Sequence, residues 1–257
     1  MFGLDPFHFW TAIAVTVAAG FVKGAIGFAM PIIMVSVLGS FLTAQQALAA
    51  VILPVLITNI HQALRRGWRP AWQAVLDYRW HIGALLVVIP LSAGLATVVP
   101  QWLMYGLLGL PITAYALWQL AGRSMVIPVR HRRGVEIGSG IIGGLYGGIA
   151  GIWGPPLIVL LLSINAPKEE QMRVQGVVFF LGAAILTVAH LQTGVLNADS
   201  LPFSAILVIP AVIGMALGYL AHDRLDIVQF RRWTLILLTL TGLNLIRRAL
   251  ELGGLPV

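Results

Sequence analysis

The chain reads as an all-α polytopic membrane protein made of two inverted-topology repeats. Each repeat opens with a helical hairpin broken by glycine and proline and continues through three transmembrane helices. Three observations predict this. The composition is 59% hydrophobic and only 10% charged, with a mean hydropathy of +0.92, whereas soluble domains carry about 25% charged residues to cover a wetted surface. Apolar runs recur along the chain at lengths that suit a bilayer, which a helix crosses in ~20 residues. Finally, Gly20, Gly24, Gly27 and Pro31 return in the same register as Gly144, Gly148, Gly151 and Pro155.

The apolar runs fall at 7–38, 44–62, 80–99, 102–121, 135–163, 174–191, 202–221 and 233–250. The first and the fifth are too long for one crossing: about 30 residues at ~1.5 Å each extend ~45 Å, against a hydrocarbon core of ~30 Å. Both contain the residues least suited to an unbroken helix, since glycine costs about 1 kcal/mol and proline about 3 kcal/mol relative to alanine in a helix interior. Each is therefore read as two shorter helices turning at the glycines. The other six runs are read as single helices, the third stopping at Pro100 and the seventh carrying Pro210 within it.

Charge in the connections tests the hairpins, because arginine and lysine accumulate on the cytoplasmic side. With two hairpins, the basic connections 65–79, 123–133, 164–173 and 224–232 share one side. The uncharged or acidic connections 39–43, 96–102 and 192–200 share the other, with both termini outside. With single crossings, the basic 224–232 connection would lie outside and the acidic 192–200 connection inside. Arg247 and Arg248 fit the hairpin arrangement poorly, since it puts them near the outer surface.

The duplication extends beyond the motif. Pro90 matches Pro210, Gly94 matches Gly214 and Gly122 matches Gly242, with one four-residue indel relative to the glycine motif. This sets an N-terminal repeat at 1–122, a basic cytoplasmic linker at 123–134 and a C-terminal repeat at 135–257, together one membrane domain. The N-terminus has neither the basic start nor the cleavage site of a signal peptide.

An inverted repeat of interrupted helices points to a substrate site between the halves, where freed backbone groups line a cavity. Proline suits the first turn of a helix. Pro31 and Pro155 can each open a short helix whose N–H groups and positive dipole end attract an anion. The alternative is that the Gly-x-x-x-Gly spacing only lets helices approach closely. Lys23, one of two lysines, sits beside Gly24 inside an apolar run. It either supplies charge to an anion or snorkels to an interface. Asn59 and His190 can bond substrate oxygens or a neighbouring helix, and Arg173 can attract anions or simply mark the cytoplasmic side. Tyr146 and Trp153 flank the second motif, shaping a cavity or packing.

Several function classes are set aside. Without cysteine there is no disulfide, thiolate nucleophile, Cys-ligated zinc or iron–sulfur cluster. No pair of histidines has metal or haem spacing, so neither metal nor cofactor is expected. Every Asp and Glu falls near a loop or terminus, which leaves no buried carboxylate for proton or sodium coupling and makes His190 the one candidate for proton linkage. The formal charge of +7 follows from membrane topology and does not require nucleic acid. What remains is a transporter of small anions driven by the membrane potential. An anion channel on the same scaffold and a membrane-embedded redox or enzyme subunit are the competing readings.

The duplicated glycine/proline motif, Asn59 followed by Arg66-Gly67-Trp68, and Arg173-Val-Gln-Gly176 followed by His190-Leu-Gln-Thr-Gly194 together resemble the TauE/SafE family of membrane sulfite exporters, over residues 8–250. The resemblance implies export of sulfite, sulfonates or related sulfur-containing anions across a bacterial inner membrane. By carry-over it points to Gly24, Gly27, Pro31, Gly148, Gly151 and Pro155, and to Asn59, Arg173 and His190. One departure is that Phe28-Ala29-Met30 stands where the family often has further glycine, which argues against a symmetric site. The partners implied are the small anion, the lipid bilayer and a second copy of the chain.

Overall fold

The computed structural model describes residues 5–38, 41–42, 44–93, 100–123, 129–150, 153–192 and 195–254. Among the described residues the chain is helical, without strands. It divides into two compact units, Met1–Ala71 with Gly176–Asp226 and Trp72–Gln175 with Ile227–Val257. Each unit draws helices from both halves of the sequence.

The first unit begins with α1 (Pro6–Ile26). Asp5 caps it, accepting the backbone N–H of His8 at 3.0 Å, and Pro6 occupies the first turn, where its missing N–H costs nothing. The helix ends at Gly27, whose φ of 98° lies in the left-handed region and whose N–H bonds back to the Lys23 carbonyl at 2.6 Å. Two residues later Ala29 also has positive φ, 75°, and α2 (Met30–Leu38) follows with Pro31 as its second residue. The chain therefore breaks at 27–29. Gly20 and Gly24, expected at the turn, lie inside α1. At 9 residues, α2 extends about 14 Å, half of a ~30 Å core.

Helix α3 (Ala44–Leu64) contains Pro54, which cannot donate to the carbonyl one turn earlier. That carbonyl, on Ala50, instead accepts the hydroxyl of Ser204, at 3.2 Å, from α10 (Leu201–Arg224). The same hydroxyl oxygen accepts the N–H of Leu53 at 3.2 Å. A polar residue in an apolar helix is thus explained by a proline in its neighbour.

Helices α1 and α10 meet backbone to backbone. A Cβ placed on Gly24 would lie 2.2 Å from the Met215 carbonyl oxygen, and one on Gly218 would lie 2.1 Å from that of Phe21. Gly20 and Gly214 make the same kind of approach, to Ala211 and Val17. Dispersion and Cα–H contacts replace the hydrophobic effect as the glue between helices in lipid, so small residues on both faces are what such packing needs.

The second unit holds α4 (Trp68–Asp77) from Trp72 onward, α5 (Arg79–Ala93), α6 (Gln101–Leu120), α7 (Arg132–Ala150), α8 (Gly154–Ser163), the start of α9 (Lys168–Gln192) and α11 (Ile227–Leu252). Here α7 packs on α5, again through glycines: a Cβ on Gly140 would lie 2.4 Å from the His81 carbonyl oxygen. Helix α6 packs on α11 where Gly109 meets Gly242. In both units, the first helix of one half lies against the Pro-bearing helix of the other half, α1 on α10 with Pro210 and α7 on α5 with Pro90.

Three expectations need correction. Connection 65–79 is largely helical: α4 is an amphipathic helix with Ala71 and Ala74 buried and Trp68, Trp72 and Leu76 exposed, bent 78° from the helix that follows. The Gly122/Gly242 match does not hold, because Gly122 ends α6 in a turn with φ of 81° while Gly242 lies within α11. A buried carboxylate does exist: Glu136 on α7 is 2% exposed and pairs with Arg132 at 2.8 Å. Its position among loop residues hid it, since burial there comes from packing on α5. Gly94 and Gly151 lie outside the described residues.

Among the described residues four helices, Pro6–Ile26, Gln46–Leu64, Lys168–Val188 and Leu201–Arg224, are long and apolar enough to cross a membrane. The basic connections are tied to one another. Tyr78 donates to Glu170 at 2.6 Å, and Arg231 donates to Asn165 at 2.6 Å and to Gln119 at 3.0 Å. In the first unit Arg65 grips Asp223 with two bonds of 2.9 Å.

Candidate functional site

The break in the first unit is where polar chemistry gathers. Lys23 stands in the last turn of α1, and Thr58, Asn59 and Gln62 share a face of α3 by their spacing. The Lys23 Nζ donates to the Thr58 hydroxyl at 3.0 Å and to the Asn59 amide oxygen. Thr58 in turn donates to the Pro54 carbonyl at 2.6 Å, and Gln62 Nε2 donates to the Gly27 carbonyl at 3.2 Å, holding the turn itself. On the other flank, His222 Nδ1 donates to the Ala25 carbonyl at 3.1 Å.

All of this is dry. Lys23 is 2% exposed, and Thr58, Asn59, Gln62 and His222 are buried. The ammonium is not snorkelling; its long stem runs inward. No carboxylate pairs with it among the described residues. Taking an unpaired charge out of water is costly, and proteins normally bring a counter-charge to it. Among the described residues the Lys23 side chain is held by neutral oxygens alone. Gly27, Phe28 and Ala29 form the buried turn beside it.

The remaining expected residues divide. Gly24 faces α10 and serves close packing, and Pro31 sits in the first turn of α2. Gly148 lies near the end of α7, and Pro155 in the first turn of α8, after Trp153. Arg173 lies on α9 in the second unit, half-buried, its Nε without a hydrogen-bond partner. Trp153 Nε1 and both amide atoms of the fully buried Gln175 are in the same condition. His190 is within α9, but its side chain is outside the described residues, as is Gly151. Sequence reasoning missed Thr58 and Gln62; a polar pair flanking Asn59 at helical spacing was the available signal. It also left Lys23 and Asn59 unconnected.

Residues 12–245 of the 257 match the family described as sulfite exporter TauE/SafE. The chain belongs to the TauE/SafE family. It is accordingly a multi-pass membrane protein of a transporter family. No curated protein and no solved structure matches it. Within this TauE/SafE member, Ala29 holds a positive φ, a backbone conformation that glycine adopts without cost.

Proposed function

We propose that the protein exports small sulfur-containing anions, sulfite or organosulfonates, from the cytoplasm of a bacterium across its inner membrane. The observation that carries this reading is the Lys23 ammonium, buried beside the α1–α2 break and bonded, among the described residues, to Thr58 and Asn59. Buried N–H donors at Trp153, Arg173 and Gln175 lend it support, since each lacks an acceptor among the described residues and an unsatisfied buried donor calls for a ligand or water. Family membership points to sulfur as the element and export as the direction.

The reading includes the inverted-hairpin topology, with basic connections on the cytoplasmic side and both termini outside. Contacts from Tyr78 to Glu170, Arg231 to Gln119 and Arg65 to Asp223 support it, because single crossings would put the members of each pair on opposite faces. An inside-negative potential contributes ~2.3 kcal/mol per charge per 100 mV, enough to hold an anion gradient of roughly fiftyfold without an ion-coupling site.

The test is flux from liposomes. Protein reconstituted with internal sulfite or an alkylsulfonate is expected to give saturable efflux that an imposed potential, negative on the loaded side, accelerates. Lys23→Gln is expected to reduce it at least about tenfold while remaining folded, the loss of one charge-assisted contact. Unchanged efflux in a folded Lys23→Gln protein would overturn the assignment of the site; absence of efflux for both anions would overturn the substrate class.

A further inference from the structure

The junction of α4, α5 and α7 in the second unit carries a cationic cluster outside the proposed transport site. Arg133 stacks its guanidinium on the Trp80 ring, 3.9 Å from the centroid, and Arg79 approaches the same ring at 5.5 Å. Neither is in an ion pair among the described residues; Arg79 donates to the Leu76 carbonyl at 3.1 Å. The nearby acids are otherwise engaged: Glu136 with Arg132, Glu170 with Tyr78, and Asp77 with Gln73. Two like charges thus share one aromatic platform without a direct ion pair among the described residues.

Trp80 also heads an apolar stripe. Trp80, Gly83, Val87 and Leu91 follow one another on one face of α5 at helical spacing, and Val87 is 59% and Leu91 72% exposed. A Cβ at Gly83 would meet nothing within 4 Å, so the helix face is open just past the cations. From Trp80 to Leu91 the stripe runs about 16 Å, the hydrocarbon depth of one leaflet. Beside it, Trp72 and Leu76 of α4 stay exposed, as an interfacial amphipathic helix requires.

We infer that Arg79, Trp80 and Arg133 form a headgroup site for an anionic phospholipid, whose phosphate sits on the two guanidiniums while an acyl chain follows Gly83, Val87 and Leu91. Guanidinium forks match phosphate oxygens, and an aromatic ring at the interface holds the forks in place. The lipid neutralises the cluster and anchors the bend between α4 and α5.

Thermal unfolding of the full-length protein in detergent tests this, with added phosphatidylglycerol, phosphatidylcholine or glycerol phosphate, alongside native mass spectrometry. Phosphatidylglycerol is expected to raise the unfolding temperature and remain bound, and phosphatidylcholine is not. The double substitution Arg79→Gln with Arg133→Gln should weaken retention about thirtyfold, two surface charges of about 1 kcal/mol each. Arg232→Gln, elsewhere on the surface, should leave it intact. Val87→Ser with Leu91→Ser should weaken the lipid without affecting glycerol phosphate. Equal stabilisation by glycerol phosphate would make the cluster a free-anion site and overturn the lipid assignment, as would equal retention by the double arginine variant. Unfolding temperatures of the variants without lipid show whether they are folded.

Discussion

The ammonium of Lys23 lies 3.0 Å from the hydroxyl of Thr58, joining the last turn of α1 to the middle of α3 in a region closed to solvent. Thirty-five positions separate the two residues in sequence. The contact ties the α1–α2 break to α3 through a buried polar side chain.

Removing an acceptor from Lys23 should cost stability as well as transport. Asn59→Ala is expected to destabilise the protein by about 1–3 kcal/mol, the desolvation cost of a buried donor left unmatched. Asn59→Asp, which gives the ammonium a counter-charge, should restore stability yet suppress anion efflux. Thermal unfolding and liposome flux measured side by side check both; full transport in Asn59→Asp would contradict the anion role.

The Ser204 hydroxyl has a purely structural task. Ser204→Ala leaves the Ala50 carbonyl and the Leu53 N–H without their partner, for an expected loss of about 1–3 kcal/mol. Combining it with Pro54→Ala, which lets α3 satisfy the carbonyl internally, should recover most of that loss. A double-mutant cycle on unfolding free energies reads the coupling.

Ala29 is strained by its positive φ. Ala29→Gly should relieve on the order of 1 kcal/mol, the steric cost of a Cβ in the left-handed region, less some entropy gained by the unfolded chain. A lower unfolding temperature in Ala29→Gly would show that the turn does not adopt this conformation.

Two glycine-to-alanine substitutions should behave oppositely. Gly218→Ala puts a methyl 2.1 Å from the Phe21 carbonyl oxygen, so α1 and α10 must separate, at an expected cost of about 1–3 kcal/mol. At Gly138 a Cβ meets nothing within 4 Å, and Gly138→Ala should stabilise α7 by up to about 1 kcal/mol. Melting curves of the two proteins check the contrast.

Topology can be probed chemically because the chain has no cysteine. Cysteines at Tyr78 and Glu170, which bond at 2.6 Å, should cross-link with a short reagent. A membrane-impermeant thiol reagent should reach Arg66→Cys and Arg232→Cys from the same side. Labelling from opposite sides would rule out the inverted hairpins.

Much of the fold was legible because a bilayer imposes simple rules on composition and length. Eight apolar runs corresponded to helices, two of them broken, and the two long runs were read as breaks for the right reason: no single helix of that length fits. The position of the first break was not legible. Gly20, Gly24 and Gly27 look alike in sequence, yet the first two serve helix contact and only Gly27 turns the chain, since which glycine faces another helix depends on partners hundreds of atoms away. Helix α4 was missed because Arg69 and the flanking Arg65, Arg66 and Arg79 dominate a hydropathy reading, whereas its Trp68, Trp72, Leu76 spacing carried an amphipathic signal.

The membrane class, the number of apolar segments, the duplicated motif and the family are written in the order of residues, because hydropathy, charge asymmetry and motif register are properties of the chain read locally. Packing added the rest: that Lys23 meets Thr58 and Asn59, that Ser204 answers Pro54, that Glu136 is buried, and that Arg79 and Arg133 share Trp80. Each of these joins residues on different helices, and a helix offers the same sequence to every neighbour until close contact at small residues selects which face is buried. The opposing pull is the cost of unpaired polar groups in an apolar medium, which favours packings such as this one, where the buried Lys23 finds Thr58 and Asn59.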